Sequence, residues 1–435
     1  MQQLLGFDGV NDTVTLRFEW QSATGANTAV GGTALIGDWL TPVDANGQTS
    51  WQTGTLEQGL LTYIANLPAA TKADPTIVLW LHNEYDSNNA SLTAATWESA
   101  VRYDASLVRA AFGSNVPYVF VEPIPYVVGT DAGAQAIRVG MTNLAADASF
   151  NAHLTAENDD LDMNAVVFGA GGHMNTADAA IVADRAARSI AEAFAAYAKP
   201  GSPAAANIDD SGPLAVQALQ TGLRELTVSV QFDAATSLKP LDADAATGLG
   251  WWVTGGSGVV DAASVTLGAN NTLVITFKAD LPAGGKLFYG YGNAKLADAN
   301  GLAHGNAIYD DQGLPMHAPV LGLTIDAAPV VPGVVLPGTD GRDTIVAGPN
   351  GDTVVGGKGD DYLVAGAGAD VFVFSVGDGQ DWIDGFAQGS DHIRFDGGVT
   401  AGSILTQALT IQGFPARPST TAPGATRSSL PESMR

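Results

Sequence analysis

An α/β domain followed by two all-β parts is the multidomain architecture that this sequence predicts. Three observations carry the prediction. Continuous apolar runs alternate with amphipathic stretches over residues 1–200. Apolar and polar residues then alternate with period two over 205–328. Finally, four blocks of nine residues repeat from Gly338 to Val373. A chain of 435 residues is expected to hold two or three domains, and 46% hydrophobic residues suffice to bury their cores.

In residues 1–200, Thr76 to Leu81, Tyr118 to Val121 and Ala165 to Phe168 are continuous apolar runs. Such runs suit central parallel strands covered on both faces. Ser91 to Phe112 lies between the first two and has a helical pattern, with Trp97, Val101, Val108 and Phe112 on one stripe. A last helix is predicted from Thr176, with Asp178 in its first turn and a stop at Lys199-Pro200-Gly201. Ile190, Phe194 and Tyr197 are spaced to share its buried face. Strand, helix, strand, helix implies an α/β layered domain.

From 205 to 328 the period changes. Leu226, Val228, Val230 and Phe232 alternate with Thr227, Ser229 and Gln231; Val265 and Leu267, then Leu273, Ile275 and Phe277, do likewise. Gly, Asn and Asp clusters separate the runs, which predicts an antiparallel β-sandwich of immunoglobulin-like size. Trp251-Trp252 is read as core or edge packing, and Asp310-Asp311 as a pair able to hold a cation. Residues 329–337, with Pro329, Pro332 and Pro337, form a stiff linker.

In the nine-residue blocks the sixth position is Asp343, Asp352, Asp361 and Asp370, and the eighth is Ile345, Val354, Leu363 and Phe372. Glycines permit positive φ in a turn, the Asp supplies a hard anionic oxygen, and the eighth residue points inward on a short strand. A flexible linker would not keep apolar residues in register. The period resembles the calcium-binding repeats of RTX proteins, whose repeats wind into a parallel β-roll. Phe374, Asp378, Asp381, Trp382, Ile383, Asp391 and Phe395 resemble the segment that closes such a roll. The resemblance covers about residues 336–398 and implies Ca2+ as cofactor, held by Asp343, Asp352, Asp361 and Asp370 with Asp340 and Asp360. The roll is expected over 338–400, and 401–435 is a Ser-, Thr-, Pro- and Arg-rich tail.

The formal net charge is -26, from 45 acidic and 19 basic residues. This balance disfavours nucleic acid and anionic membrane and favours divalent cations. Residues 336–400 hold eleven Asp against Arg342, Lys358 and Arg394, so without a cation the segment repels itself. Absence of cysteine excludes disulfides and thiolate metal sites. No run of 18 apolar residues exists to span a membrane. Met1 to Val10 lack the basic start and apolar core of a cleavable signal peptide. The RTX resemblance implies an extracellular protein exported by type I secretion machinery, although the tail lacks the apolar-acidic finish of that family.

Three further segments come in order. They are Val30-Gly31-Gly32-Thr33-Ala34 with Asp38-Trp39-Leu40, then Trp80-Leu81-His82-Asn83-Glu84-Tyr85-Asp86, then Gly171-Gly172-His173-Met174-Asn175. Together they resemble the SGNH hydrolases, particularly carbohydrate esterases related to sialate O-acetylesterase, a three-layer α/β fold. The resemblance implies an oxyanion held by the Gly32 backbone and the Asn83 amide, His173 as base, and an acetylated carbohydrate as substrate. Such a site needs a nucleophile, a base and fixed donors for the tetrahedral oxyanion. Two features depart from the family. No Gly-Asp-Ser or Gly-Gln-Ser-Asn is present, which places the expected nucleophile strand upstream of Met1, and Ala170 stands where the family has its orienting Asp. Asp162 is the alternative carboxylate. Read without the resemblance, His82, Glu84 and Asp86 are a polar loop after a strand or a set of structural hydrogen bonds. Two functions stay open beside calcium binding: an acyl-ester hydrolase, and a non-catalytic extracellular adhesion or matrix protein.

Overall fold

The computed structural model describes residues 1–17, 33–43, 50–81, 85–122, 129–161, 176–256, 258–290, 296, 307–327 and 333–397. It divides into a first unit, 1–328, and a second, 329–435.

The first unit opens with α1 (Gln2–Leu5) and the hairpin of β1 (Leu40–Pro42) and β2 (Trp51–Thr53), followed by α2 (Thr55–Asn66) and α3 (Ala69–Ala73). Next come β3 (Val78–Trp80), α4 (Ala94–Phe112), β4 (Tyr118–Phe120), α5 (Asp131–Ala146), β5 (Ala152–Leu154) and α6 (Thr176–Ala193). β3, β4 and β5 pair in parallel, with Val78 beside Tyr118 and Tyr118 beside Ala152. Parallel neighbours need a crossover, and α4 and α5 supply it. Thr93 caps α4 by accepting from the Thr96 N–H at 3.1 Å, and Gly113 ends it in the left-handed region at φ +77. The stripe of Trp97, Val101 and Val108 is buried against the sheet, where Trp97 meets Trp80 edge-on at 6.3 Å.

Two expectations change here. The third strand is Ala152–Leu154, a short run that sequence reading passes over, and Ala165–Phe168 lies outside the described residues. α6 stops at Ala193 instead of running to Lys199; Ala195–Tyr197 is one 3-10 turn and Tyr197 is exposed, so no buried face extends that far.

The remainder of this unit contains β6 (Leu214–Gly222), β7 (Glu225–Gln231), α7 (Ala243–Ala246), β8 (Trp251–Gly255), β9 (Gly258–Leu267), β10 (Thr272–Phe277), β11 (Lys286–Tyr289) and β12 (Leu323–Ala327). The expected sandwich is instead a closed seven-stranded barrel, in the order β10-β7-β6-β12-β11-β8-β9. β9 explains the closure. Its first residues, up to Asp261, pair with β8, and from Ala262 on they pair with β10, with a register shift opposite Thr276 and Phe277. A strand bent at a bulge can serve two neighbours in turn, which joins what would be two sheets. Parallel pairing of β12 with β6 closes the other side. Trp251 lies in the barrel core against Tyr289, and Trp252 stacks on Phe288 at 4.5 Å, so both serve packing.

Residues 333–397 of the second unit form a parallel β-roll. Its strands are β13 (Val335–Pro337), β14 (Thr344–Val346), β15 (Thr353–Val355), β16 (Tyr362–Val364), β17 (Val371–Phe374), β18 (Trp382–Asp384) and β19 (His392–Phe395). They alternate between two sheets, β13-β15-β17-β19 and β14-β16-β18. One block makes half a turn, so residues two blocks apart stack: Leu336 on Val354 on Phe372, and Ile345 on Leu363 on Ile383. Val354, Leu363 and Phe372 are fully buried, as their shared eighth position predicts. The roll begins inside the segment expected to be linker, because Leu336 continues the apolar column one block upstream of Ile345.

Candidate metal centre

The two sheets of the roll are joined by two stacks of turns. One edge carries turns 338–343, 356–361 and 375–381; the other carries 347–352, 365–370 and 385–391. The predicted aspartates lie at the ends of these turns, just ahead of the strands. Most of these carboxylates also form the rungs of a ladder. The backbone N–H of Asp343 donates to Asp361 Oδ1 at 2.8 Å, that of Asp352 to Asp370 Oδ1 at 2.8 Å, that of Asp361 to Asp381 Oδ1 at 2.9 Å, and that of Asp370 to Asp391 Oδ1 at 2.9 Å. Buried aspartates at this position therefore satisfy backbone groups that no strand partner reaches.

The second carboxylate oxygen separates the sites. Asp352 Oδ2 accepts from Gly348 N–H at 2.6 Å, Asp370 Oδ2 from Gly366 N–H at 2.8 Å, and Asp391 Oδ2 from Ala387 N–H at 2.8 Å. Asp343 Oδ2 accepts from the Thr339 N–H and hydroxyl at 2.6 and 2.8 Å. Asp361 Oδ2 and Asp381 Oδ2 are buried without a hydrogen-bond partner. A methyl group built at Gly356 would lie 2.5 Å from Asp361 Oδ2, so the glycine keeps that space open. Asp340 and Asp360 are exposed: Asp340 pairs with Lys358 at 3.0 Å, and Asp360 accepts from the Gln380 N–H at 2.9 Å. Burial, with Asp361, Asp378 and Asp360 adding repulsion, pushes Asp381 up to about 6. Burial also raises Asp361, with Asp343, Asp378 and Asp360 contributing. A cation relieves both costs at once.

These features fit calcium, a hard ion that takes oxygen ligands of mixed kind. Among the described residues, no three His, Asp or Glu side chains converge tightly enough to hold a metal ion by themselves. An ion here would draw its remaining oxygens from the backbone carbonyls of the glycine turns.

In the first unit, the sequence-predicted Gly32, Asn83 and His173 lie outside the described residues, as does Asp162. Asp86 does not: it is buried and accepts from the N–H groups of Leu35 at 2.9 Å and Ile36 at 3.1 Å. It ties the end of the second predicted segment to the first. Burial pushes Asp86 up to about 6, and the two backbone donors oppose that shift. Asp310 is buried beside Asp209, with its Oδ1 accepting from Gln312 and Leu314 N–H, while Asp311 holds Thr236. The expected cation pair is thus split between two environments.

Sequence reading misses a buried polar node at the carboxyl ends of β4 and β5. Arg138 pairs with Glu157 at 2.9 Å, and Arg185 holds both oxygens of Asp160 at 2.8 Å. Asn158 donates to the Glu122 carbonyl at 2.7 Å, and the Tyr309 hydroxyl of the barrel part donates to Asp160 at 2.8 Å. Burial, then repulsion from Glu157, raises Glu122 and Asp159 well above the usual carboxylate range. Glu157-Asn158-Asp159-Asp160 reads as an ordinary polar loop. The available signal was an arginine inside each buried helical stripe, Arg138 between Ile137 and Met141, and Arg185 between Val182 and Ala186. Asp160, Arg185 and Tyr309 line a cleft of about 600 Å³ with Asp178, Arg188 and Gln312.

No curated protein matches the chain. Solved structures that resemble it include the N-terminal part of the bacterial S-layer protein SbsC, at 13% identity over 55% of this chain and 44% of that one, with a TM-score of 0.19. The S-layer protein rSbsC(31-844) matches at 13% identity over 65% and 36%, TM-score 0.21. Domains 1-6 of surface layer protein SbsC match at 12% identity over 66% and 32%, TM-score 0.21. This chain spans less than half the length of each, and scores so low carry no shared fold. Residues 337–372 match the family model of the RTX calcium-binding nonapeptide repeat, in 4 copies. The repeats that build this roll are therefore calcium-binding repeats, of a kind typical of secreted proteins.

Proposed function

We propose that this chain is a secreted calcium-binding protein whose roll orders when it meets calcium outside the cell. The two buried, unpartnered oxygens of Asp361 and Asp381 carry this reading. Asp361 would hold the ion with Asp381, and Asp343, Asp340 and Asp360 add negative charge around it. Asp352 and Asp370 serve as the hydrogen-bonded anchors of the ladder. Where calcium is scarce, eleven Asp against three basic residues repel each other over 336–400. Bound calcium removes that repulsion, and its binding free energy becomes folding free energy. Limited proteolysis of the full chain tests this. Cleavage within 338–397 is expected in a chelator and is suppressed when calcium is restored; identical patterns in both conditions reject the proposal.

A second reading concerns the first unit. Asp86 clasps the backbone at Leu35 and Ile36, next to the Gly-Gly-Thr segment. That contact brings the stretches around the first two predicted segments together, as an ester-hydrolase-like arrangement would need, and acetylated carbohydrate is the substrate that the sequence resemblance implies. The reading expects hydrolysis of a chromogenic acetate ester that His173→Ala abolishes. Hydrolysis that survives the substitution overturns the role given to His173, and none at all makes the unit a non-catalytic module.

A further inference from the structure

The two edges of the roll are not equivalent, and we infer that calcium enters through one of them alone: the edge built by turns 338–343, 356–361 and 375–381. This rests on the calcium-binding reading above and goes further, since it divides the repeats into those that take the ion and those that do not.

On the opposite edge both oxygens of the aspartate that ends each turn already have a backbone donor. Asp352, Asp370 and Asp391 each accept one backbone N–H on Oδ1, from Val334, Asp352 and Asp370, and a second on Oδ2. A calcium ion there would meet oxygens whose charge is already shared with backbone donors, and so would gain less from them. Turns 347–352 and 365–370 also carry no second acidic residue: they read Ala-Gly-Pro-Asn-Gly-Asp and Ala-Gly-Ala-Gly-Ala-Asp.

The first edge differs in backbone, in composition and in satisfaction. Gly357 and Gly377, four residues ahead of Asp361 and Asp381, sit at φ +92 and +97. In the other turns the residue at that place is Thr339, Gly348, Gly366 or Ala387, none at positive φ, and its N–H reaches the aspartate. The left-handed glycines therefore leave Asp361 Oδ2 and Asp381 Oδ2 open, although both residues are more than nine-tenths buried. Within the turns themselves, extra carboxylates stand on this edge, at Asp340, Asp360 and Asp378. A buried carboxylate oxygen with no donor is costly unless a cation meets it. One edge therefore functions as a hydrogen-bonded clasp, and the other carries the metal dependence.

The aromatic residues of the roll allow a direct test. Tyr362 and Trp382, the only Tyr and Trp in 333–397, directly follow Asp361 and Asp381. Terbium added to the full chain in place of calcium should emit when tryptophan is excited, calcium should compete that emission away, and Trp382→Phe with Tyr362→Phe should remove most of it. Asp361→Asn and Asp381→Asn should each weaken calcium binding by about tenfold or more, the loss of about 1.4 kcal/mol of ion contact. Asp370→Asn loosens the hydrogen-bonded edge and can raise the calcium midpoint through folding, but it should leave the number of ions bound at saturation unchanged, whereas Asp361→Asn and Asp381→Asn reduce it. A lower ion count at saturation for a folded Asp370→Asn would overturn the one-edge assignment while leaving calcium binding intact. Should Asp370→Asn fail to fold in saturating calcium, native mass spectrometry of the unaltered chain decides. One ion for each gap between the three stacked turns supports the inference, and a count that also fills the opposite edge defeats it. A full chain that takes up neither calcium nor terbium would overturn the calcium reading itself.

Discussion

Replacing Arg138 by leucine is expected to cost the first unit about 3–5 kcal/mol, among the largest effects of any single substitution in this chain. Arg138 is buried on α5 and pairs with Glu157, itself buried, at 2.9 Å. Glu122 and Asp159 lie close enough for their charges to act on it. Removing the guanidinium leaves this set of carboxylates without its counter-charge in a place that water does not reach. The penalty is desolvation left uncompensated, so the intact pair is not itself a large source of stability. A second substitution separates the two ideas. Arg138→Leu with Glu157→Leu should recover much of the loss, because two apolar side chains replace both partners. Seven of the eight tryptophans lie within residues 1–328, so the fluorescence midpoint in urea reports mainly on this unit. A single variant as stable as the parent would show that the node is open to solvent.

Phe372→Ala is expected to remove about 3–5 kcal/mol from the roll. Phe372 is fully buried, stands in register between Val354 and Ile393, and approaches Phe386 at 6.1 Å. So small a core has few other large side chains to close over the gap. Where ordering is coupled to ion uptake, the loss appears as a higher calcium requirement. About 3 kcal/mol shared between two ions raises the midpoint by roughly tenfold. Val346→Ala is the matched control, since Val346 on the neighbouring sheet is exposed and should leave the midpoint where it is. Calcium titration followed by near-ultraviolet circular dichroism of Trp382 reads both variants, and equal midpoints would show that Phe372 does not anchor the calcium-bound core.

The roll was largely legible in the residues because each role in a repeat is local. Glycine opens the turn, aspartate closes it, and the apolar residue two places on fills the core. What the period could not show is which aspartates already have donors, because that depends on whether Gly357, Gly377 or Thr339 turns an N–H toward them. α4 was legible for a similar reason: Thr93, Gly113 and the stripe between them all agree. The barrel was legible strand by strand, but its closure was not. It turns on β9 changing partners at Asp261 and Ala262 and on β12 returning beside β6 across a hundred residues. Least legible was the polar node. Four consecutive polar residues after a short strand look solvated until two helices from elsewhere in the chain lay arginines over them.

The rungs of the roll all run one way: the amide lies earlier in the sequence and the carboxylate that receives it lies later. The two ends of the spiral are therefore unequal. Shaving turns from the front uncovers acid groups, which water solvates readily. Shaving them from the back strands peptide hydrogens in an interior where nothing else can accept them.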